Sequence, residues 1–420
     1  MITDILYRCP LCGEFDWLEG GRCTLCGGDV QILSRSEISI NGEKNTVGYW
    51  YDKVLSFDLP SDQSGTILNG SRVILSREST RGIFRGFAGV IATHFAREAS
   101  DEGALILKTG EIVFSGRKEA FALPFDDLCG VTIDSNTIIL VSRGQGALFF
   151  DFQNESGKKW EDFIRKALAQ HHAPEKIVEF YPRIRLQNEL RDRPSKAPGH
   201  KTLRVPVEKW YAADTSIPLA VVRLIGRPVI KRLFSVDIQG LENIPETGAA
   251  VLLSNHTSFL DSIILGAFPK RHIWFMAKNS ELKNTLLTWA IRHARGFPVR
   301  RYTIDTQAVR NAVRIIRQGH ILGIYPEGER TWDNRLLPFK RGTMRLVLAL
   351  GKPVIPVGIS GAYKLMPRWE SSIEKSPVSV KIGETLSLPH IPIPHQTQND
   401  ISDAERVLSS RIRQLSGEMY

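Results

Sequence analysis

Between residues 46 and 172 apolar positions recur in short runs: 104–108 (ALILK), 111–114 (EIVF), 120–124 (AFALP), 137–141 (TIILV) and 147–152 (ALFFDF). Gly110, Gly116, Gly144 and Gly146 separate them, the punctuation expected of strands joined by turns. The period then changes. Ser156 stands where a helix N-cap is expected, and Trp160, Phe163, Ile164, Ala167 and Leu168 follow at helical spacing. A polar, Pro-containing stretch (173–206, with RDRPSKAPGH from Arg191) reads as a linker. From about residue 207 to the end, apolar runs at 249–254, 273–277, 321–325, 354–359 and 378–382 alternate with helical segments. That alternation predicts an α/β layer fold with a largely parallel sheet. No internal repeat or low-complexity tract interrupts the order.

Two segments mix apolar and basic positions. In 217–234 Arg223, Arg227 and Lys231 recur every fourth residue, and Pro228 is expected to split the segment into two short helices. The second, 286–297, pairs Trp289 and leucines with Arg292 and Arg295. Both suggest peripheral contact with an anionic membrane face; packing on the core is the alternative. No run of 18 apolar residues exists, so no transmembrane helix is expected. The N-terminus lacks a signal peptide's basic start and apolar core. These features place the protein on the cytoplasmic side of a membrane.

Composition is that of a folded multidomain chain: 420 residues, 42% hydrophobic, 24% charged, net charge +10. The excess positive charge favours anionic partners. Four of the five cysteines form two Cys-x-x-Cys pairs, Cys9/Cys12 and Cys23/Cys26, each followed by glycine. Four soft ligands on two turns favour a structural Zn in a ribbon over residues 1–33, with iron or redox disulfides as alternatives. The segment reads as a metal-stapled cap or a protein dock. Its few aromatics and lack of a basic run argue against nucleic acid.

Candidate chemistry concentrates in 255–261 (NHTSFLD). His256 can act as a base near neutral pH, and Asp261 can fix its tautomer. In one continuous helix five residues turn through ~500°, leaving the two side chains ~140° apart. A break is therefore required. Ser258, three residues before Asp261, reads as a helix cap, which puts His256 in the loop and Asp261 in the first turn. No Gly-x-Ser-x-Gly elbow, His-Glu-x-x-His pair or phosphate-binding Gly-x-x-x-x-Gly-Lys loop is present.

Three further blocks follow: 296–301 (GFPVRR), 324–331 (IYPEGERT) and 354–357 (VIPV), with 240–245 (GLENIP) ahead of the first. As an ordered set the blocks resemble the glycerolipid acyltransferase family that includes 1-acylglycerol-3-phosphate (lysophosphatidate) acyltransferases. The resemblance spans 207–420 only. It implies His256 as general base with Asp261 its partner. Arg301, or the adjacent Arg300, would bind the acceptor's phosphate. Asn255, Glu327, Gly328 and Arg330 would help to bind and orient the acceptor. It also implies a lipid substrate and acyl-CoA or acyl carrier protein as co-substrate, with phosphatidate the expected product. Acyl transfer to glycerol-3-phosphate or another lipid acceptor, or a non-catalytic membrane lipid-binding adaptor, are the alternatives. Glu329 stands where the family usually has a small residue; beside a phosphate it would repel unless it pointed away. The strands and helix of 46–172 resemble a pleckstrin-homology or GRAM-type fold.

Overall fold

A computed structural model describes residues 2–60, 62–172, 177–179, 185–186, 217–282 and 285–417. The cysteine-rich start carries a minimal hairpin, β1 (Leu18–Glu19) with β2 (Arg22–Cys23). An antiparallel sheet of β3 (Val30–Ser34), β4 (Glu37–Ile40) and β5 (Glu43–Thr46) comes next. The expected boundary at residue 33 thus falls inside β3, whose pairing with β4 ties the ribbon to the body of the protein. Helix α1 (Val47–Ser56) is capped by the Thr46 side chain, which accepts from Tyr49 N.

Seven antiparallel strands form the middle sheet. They are β6 (Thr66–Arg85), β7 (Ile91–Lys108), β8 (Glu111–Gly116), β9 (Ala120–Pro124), β10 (Leu128–Asp134), β11 (Thr137–Ser142) and β12 (Gly146–Phe152). Their spatial order is β10-β11-β12-β6-β7-β8-β9. Ser156 caps α2 (Gly157–His171), and the expected stripe from Trp160 to Leu168 is buried against the sheet. β6 and β7 are 20 and 18 residues long, far beyond the usual 3–10. Their shared tip leaves the sheet: Phe84, Val90 and Ala92 are buried in the core of the C-terminal unit. Most of the expected linker lies outside the described residues, apart from β13 (Ile177–Glu179) paired with β14 (Arg185–Leu186).

In the C-terminal unit, α3 (Ile217–Leu233) runs unbroken through Pro228. The two expected short helices are therefore one, because a proline costs a helix one hydrogen bond without necessarily ending it. Then come β15 (Val236–Gln239), β16 (Ala250–Ser254), α4 (Asp261–Ala267), β17 (Ile273–Lys278), α5 (Thr285–His293), β18 (Phe297–Val299) and α6 (Thr306–Arg317). The last elements are β19 (Ile321–Ile324), α7 (Arg341–Leu350), β20 (Val354–Ser360), α8 (Ala362–Leu365), β21 (Val378–Ile382) and α9 (Gln398–Ser416). The sheet order is β15-β21-β20-β16-β19-β17-β18. Every neighbour pairs in parallel except β20 with β21. Strand alternation divides β16 between two cores: Val251 and Leu253 pack with α6, α7 and α9, Ala250 and Leu252 with the α4 side. Both faces are covered, which is why these strands read as unbroken apolar runs. The carboxyl ends of β16, β19 and β17 open together at one edge, where α/β sheets present their ligand sites.

Candidate active site

His256 follows the central strand β16, and Asp261 opens α4. The helix cap falls at Leu260, two residues later than Ser258 predicts. Asp261 itself organises the turn: its buried Oδ2 accepts from Thr257 N (2.7 Å), Ser258 N (2.8 Å) and His256 Nδ1 (2.9 Å). An oxygen already accepting two backbone N–H groups accepts from the ring as well. Nδ1 therefore carries the proton, and Nε2 on the far edge keeps its lone pair. Burial lowers the pKa of His256 against the opposing pull of Asp261, with Arg330 and Arg301 lowering it further. At neutral pH the ring is a free base.

The loop after β19 holds this base from behind. Glu327 is buried; Oε1 accepts from His256 N (2.7 Å) and Oε2 from Leu337 N (2.8 Å). Thr331 N donates to His256 O at 2.9 Å. Asn255 is equally committed to backbone: Nδ2 donates to Ile359 O and Oδ1 accepts from Ile359 N, both at 2.8 Å, locking β16 to β20. Neither Asn255 nor Glu327 lines a described cavity. Gly328 has φ +71°, and a Cβ there would sit 2.5 Å from Lys340 Cε. The positive φ favours glycine here, and any larger residue would also have to displace the end of the Lys340 side chain.

The tandem arginines diverge. Arg300 turns to the middle sheet, with Nη1 3.5 Å from Glu78 Oε2 and its guanidinium over the Phe95 ring. Arg301 turns to the His256 cavities and donates to Gly328 O at 2.6 Å. Arg330 joins it beside His256. Burial, with the repulsion of Arg368, pulls Arg301 down to about 9 and Arg330 down to about 10. Such crowded cations are stabilised by an incoming anion. Glu329 is ion-paired with Arg368 on the edge of this cluster and lines none of these cavities, so its charge is offset where a phosphate would bind.

Two residues that motif reasoning passed over complete the site. The Tyr325 ring stacks on His256 with centroids 3.8 Å apart and planes 12° from parallel, while its hydroxyl lies 3.0 Å from Ser262 Oγ. Lys278 ends β17 and lines the same cavities, paired with Asp134 of β10. Both stand at the carboxyl ends of strands, which is the signal that could have found them.

Two cavities converge on His256, Tyr325, Lys278 and Arg301. One, of about 330 Å³, runs between Phe259, Ile263, Met276 and the α5 residues Leu287 and Ile291. The other, of about 310 Å³, runs past Ala308, Val309, Ile324 and Leu346. Both have largely apolar walls away from that corner, with Glu281 and Arg368 also lining the first and Arg300, Asp305 and Lys340 the second. Beside the first, Leu286 and Trp289 of α5 are 74% and 49% exposed. The basic stripe expected on α3 is only partly available. Arg227 is committed to the end of α4, donating to Ala267 O (2.7 Å) and Phe268 O (3.0 Å), and the Arg223 side chain lies outside the described residues. Among the described residues no helix is long and apolar enough to cross a membrane.

The four cysteines converge in the N-terminal segment. Cys9 and Cys26 sulfurs lie 3.8 Å apart and Cys12 and Cys23 sulfurs 3.6 Å apart. All four ligand atoms fall within 4.8 Å of one another. A tetrahedral ion with bonds of ~2.3 Å needs sulfur edges of about 3.8 Å, so the residues fit zinc. Gly13 and Gly27 take positive φ (+79° and +68°), as the two turns require.

Residues 235–360 match the family model named Acyltransferase. Over 156 residues the chain is 32% identical to 1-acyl-sn-glycerol-3-phosphate acyltransferase BAT2 of Brassica napus, covering 36% of this chain and 45% of that protein. It is 29% identical to LPAT1 of Arabidopsis thaliana, which bears the same activity name, over 43% of this chain and 49% of that one. The match thus spans about half the length of these relatives. A Bacillus subtilis protein, also named 1-acyl-sn-glycerol-3-phosphate acyltransferase, is 24% identical over 44% of this chain and 89% of its own. The crystal structure of the 1-acyl-sn-glycerophosphate acyltransferase from Thermotoga maritima aligns with TM-score 0.40 and 27% identity, covering 48% of this chain and 81% of that one.

Proposed function

From the acyltransferase domain carried by residues 235–360, we propose that the protein moves a fatty acyl group from a thioester, acyl-CoA or acyl carrier protein, to the free hydroxyl of a lysophospholipid. The activity named for its relatives makes 1-acylglycerol-3-phosphate the first acceptor to test. The observation that carries this reading is the convergence of two apolar cavities and a cationic cluster on one oriented imidazole. Two acyl chains and the acceptor's phosphate meet in this reaction, and that arrangement supports the reading.

In the proposed step, Nε2 of His256 removes the acceptor hydroxyl's proton as the oxygen attacks the thioester carbonyl carbon. The C–O bond forms and the C–S bond then breaks. The leaving thiolate takes the proton from the imidazolium, returning His256 to its starting state. Asp261 stabilises that imidazolium, and Arg301 and Arg330 fix the phosphate so that the hydroxyl lies against Nε2. Mass spectrometry of products from mixed lysolipids and acyl-CoA tests the assignment. The intact enzyme should yield diacyl products and His256→Ala nearly none; a variant keeping most of the activity would remove the general base from the scheme.

The Cys9, Cys12, Cys23 and Cys26 cluster is read as a structural zinc site, and the antiparallel sheet closed by α2 as a pleckstrin-homology-like domain. The exposed Leu286 and Trp289 are read as the edge that meets a lipid surface, beside the cavity through which an amphiphile would enter.

A further inference from the structure

A third cavity, of about 260 Å³, adjoins the first two on the far side of Lys278 and Arg301, which line all three. Nine of its sixteen lining residues belong to β6, β7, β10 and β11, so the middle sheet builds most of its wall. Its volume is below the roughly 300–1,000 Å³ of pockets that take a whole small ligand. The size suits one end of a ligand whose remainder lies elsewhere. Its polar lining differs from that of the acyl cavities. Glu78 accepts from Tyr302, and Asp134 pairs with Lys278, accepts from Arg97 (2.5 Å) and lies 3.0 Å from Ser280 Oγ. Thr132 adds a hydroxyl.

We propose that this cavity is a headgroup subsite, and that the preferred acceptor is a lysophospholipid whose phosphate is a diester bearing a small headgroup with hydroxyl or ammonium donors. The proposal rests on the acyl-transfer reading above and extends it. With the acceptor hydroxyl at His256 and its phosphate at Arg301, the phosphate's other substituent leaves on the side opposite the glycerol, which is where this cavity lies. Glu78 is ion-paired with Arg300, and Asp134 with Lys278 and Arg97; their remaining lone pairs accept hydrogen bonds from a headgroup's O–H or N⁺–H groups, whereas a bare monoester leaves the cavity unfilled. The middle sheet then supplies part of the acceptor specificity of the acyltransferase domain.

The test is a comparison of kcat/KM for 1-acylglycerol-3-phosphate, its phosphoglycerol diester and its phosphoethanolamine diester, with one acyl-CoA and the full-length protein. Ala96→Leu and Thr132→Leu each fill the cavity, and melting temperatures establish that they fold. At least one diester should be preferred over the monoester by tenfold or more in the intact enzyme. Each filling variant should shrink that ratio at least tenfold. The glycerol and ethanolamine arms decide whether hydroxyl or ammonium is recognised. A monoester preference, or a ratio unmoved by both folded variants, overturns the subsite. Failure of the underlying reading looks different: no acceptor would be acylated, or His256→Ala would leave the products unchanged.

Discussion

Asp261→Asn isolates what the carboxylate does. Asparagine is nearly isosteric, and its Oδ1 can still accept from Thr257 N and Ser258 N, the 2.7 and 2.8 Å bonds that shape the turn. Its amide nitrogen takes the place of the carboxylate's Oδ1, so the 2.9 Å bond from Nδ1 to the same oxygen survives and the tautomer is kept. What is lost is the negative charge that offsets the imidazolium formed as the base takes its proton. General-base catalysis contributes roughly 10²–10⁴-fold, or about 3–5 kcal/mol at ~1.4 kcal/mol per decade. The expected loss is therefore at least 100-fold in kcat with KM little changed, since Asp261 touches neither the phosphate cluster nor the apolar walls.

Thiol release from acyl-CoA with saturating acceptor measures this directly, and its pH profile supplies a second reading. Only neutral His256 is active, and burial holds its pKa below the ordinary value of 6.5. The intact enzyme should thus be flat above pH 6.5 and fall as pH drops through the lowered pKa. Asp261 raises that pKa, so residual activity in Asp261→Asn should fall at a still lower pH. A folded variant retaining more than a third of wild-type kcat would refute the role given to the carboxylate's charge.

The tandem arginines should separate by kinetics. Arg301→Ala should raise the acceptor KM by ~10–150-fold, the effect of losing charge-assisted hydrogen bonds of about 1.5–3 kcal/mol, whereas Arg300→Ala, already paired with Glu78, should change KM several-fold less. Glu327→Gln keeps one acceptor for two backbone donors, so it should lower stability by ~1–3 kcal/mol in urea titrations and reduce kcat more than KM. Elemental analysis should find one zinc per chain, and Cys9→Ser or a strong chelator should lower the melting temperature, because metal binding is folding free energy in so small a unit; unchanged melting in a metal-free protein would remove the staple.

How much of this was legible in the sequence depends on which contacts are local. The C-terminal strands were visible because both faces of the sheet are covered, so 249–254 and 354–359 read as apolar runs. β15 and β18 were not visible; at four and three residues they are too short to show a period. In the middle unit β8 alternates and was found, as were β9 and the largely buried apolar runs of β11 and β12. β6 was missed, and β7 was recognised only over 104–108, because most of the long hairpin is polar and its apolar tip packs on a different unit. β10 was missed although all seven of its residues are buried, because Gly130, Thr132 and Asp134 interrupt its apolar run.

The site divides along the same line. The structure brings His256, Asp261, Arg301 and Arg330 near one another, and the sequence suggests that grouping because each stands near a strand end in a short block. What each side chain holds was not in the spacing. Ser258 suggested a helix start, but the carboxylate of Asp261 is spent on the loop N–H groups and the ring, so the first turn begins at Asp261 itself. Asn255 and Glu327 look like ligand-binding polar residues, and both are consumed by backbone. The contacts that join the units are longer in range still: Asp52 with Arg335, Glu78 with Arg300, Asp134 with Lys278, and Arg368 donating to Ile133 O. Each pairs residues more than 100 positions apart, and no periodicity connects them. Yet through Lys278 and Arg301 these contacts reach the His256 cavities, so the middle sheet bears on the chemistry even though the blocks that reveal it lie entirely in the C-terminal unit.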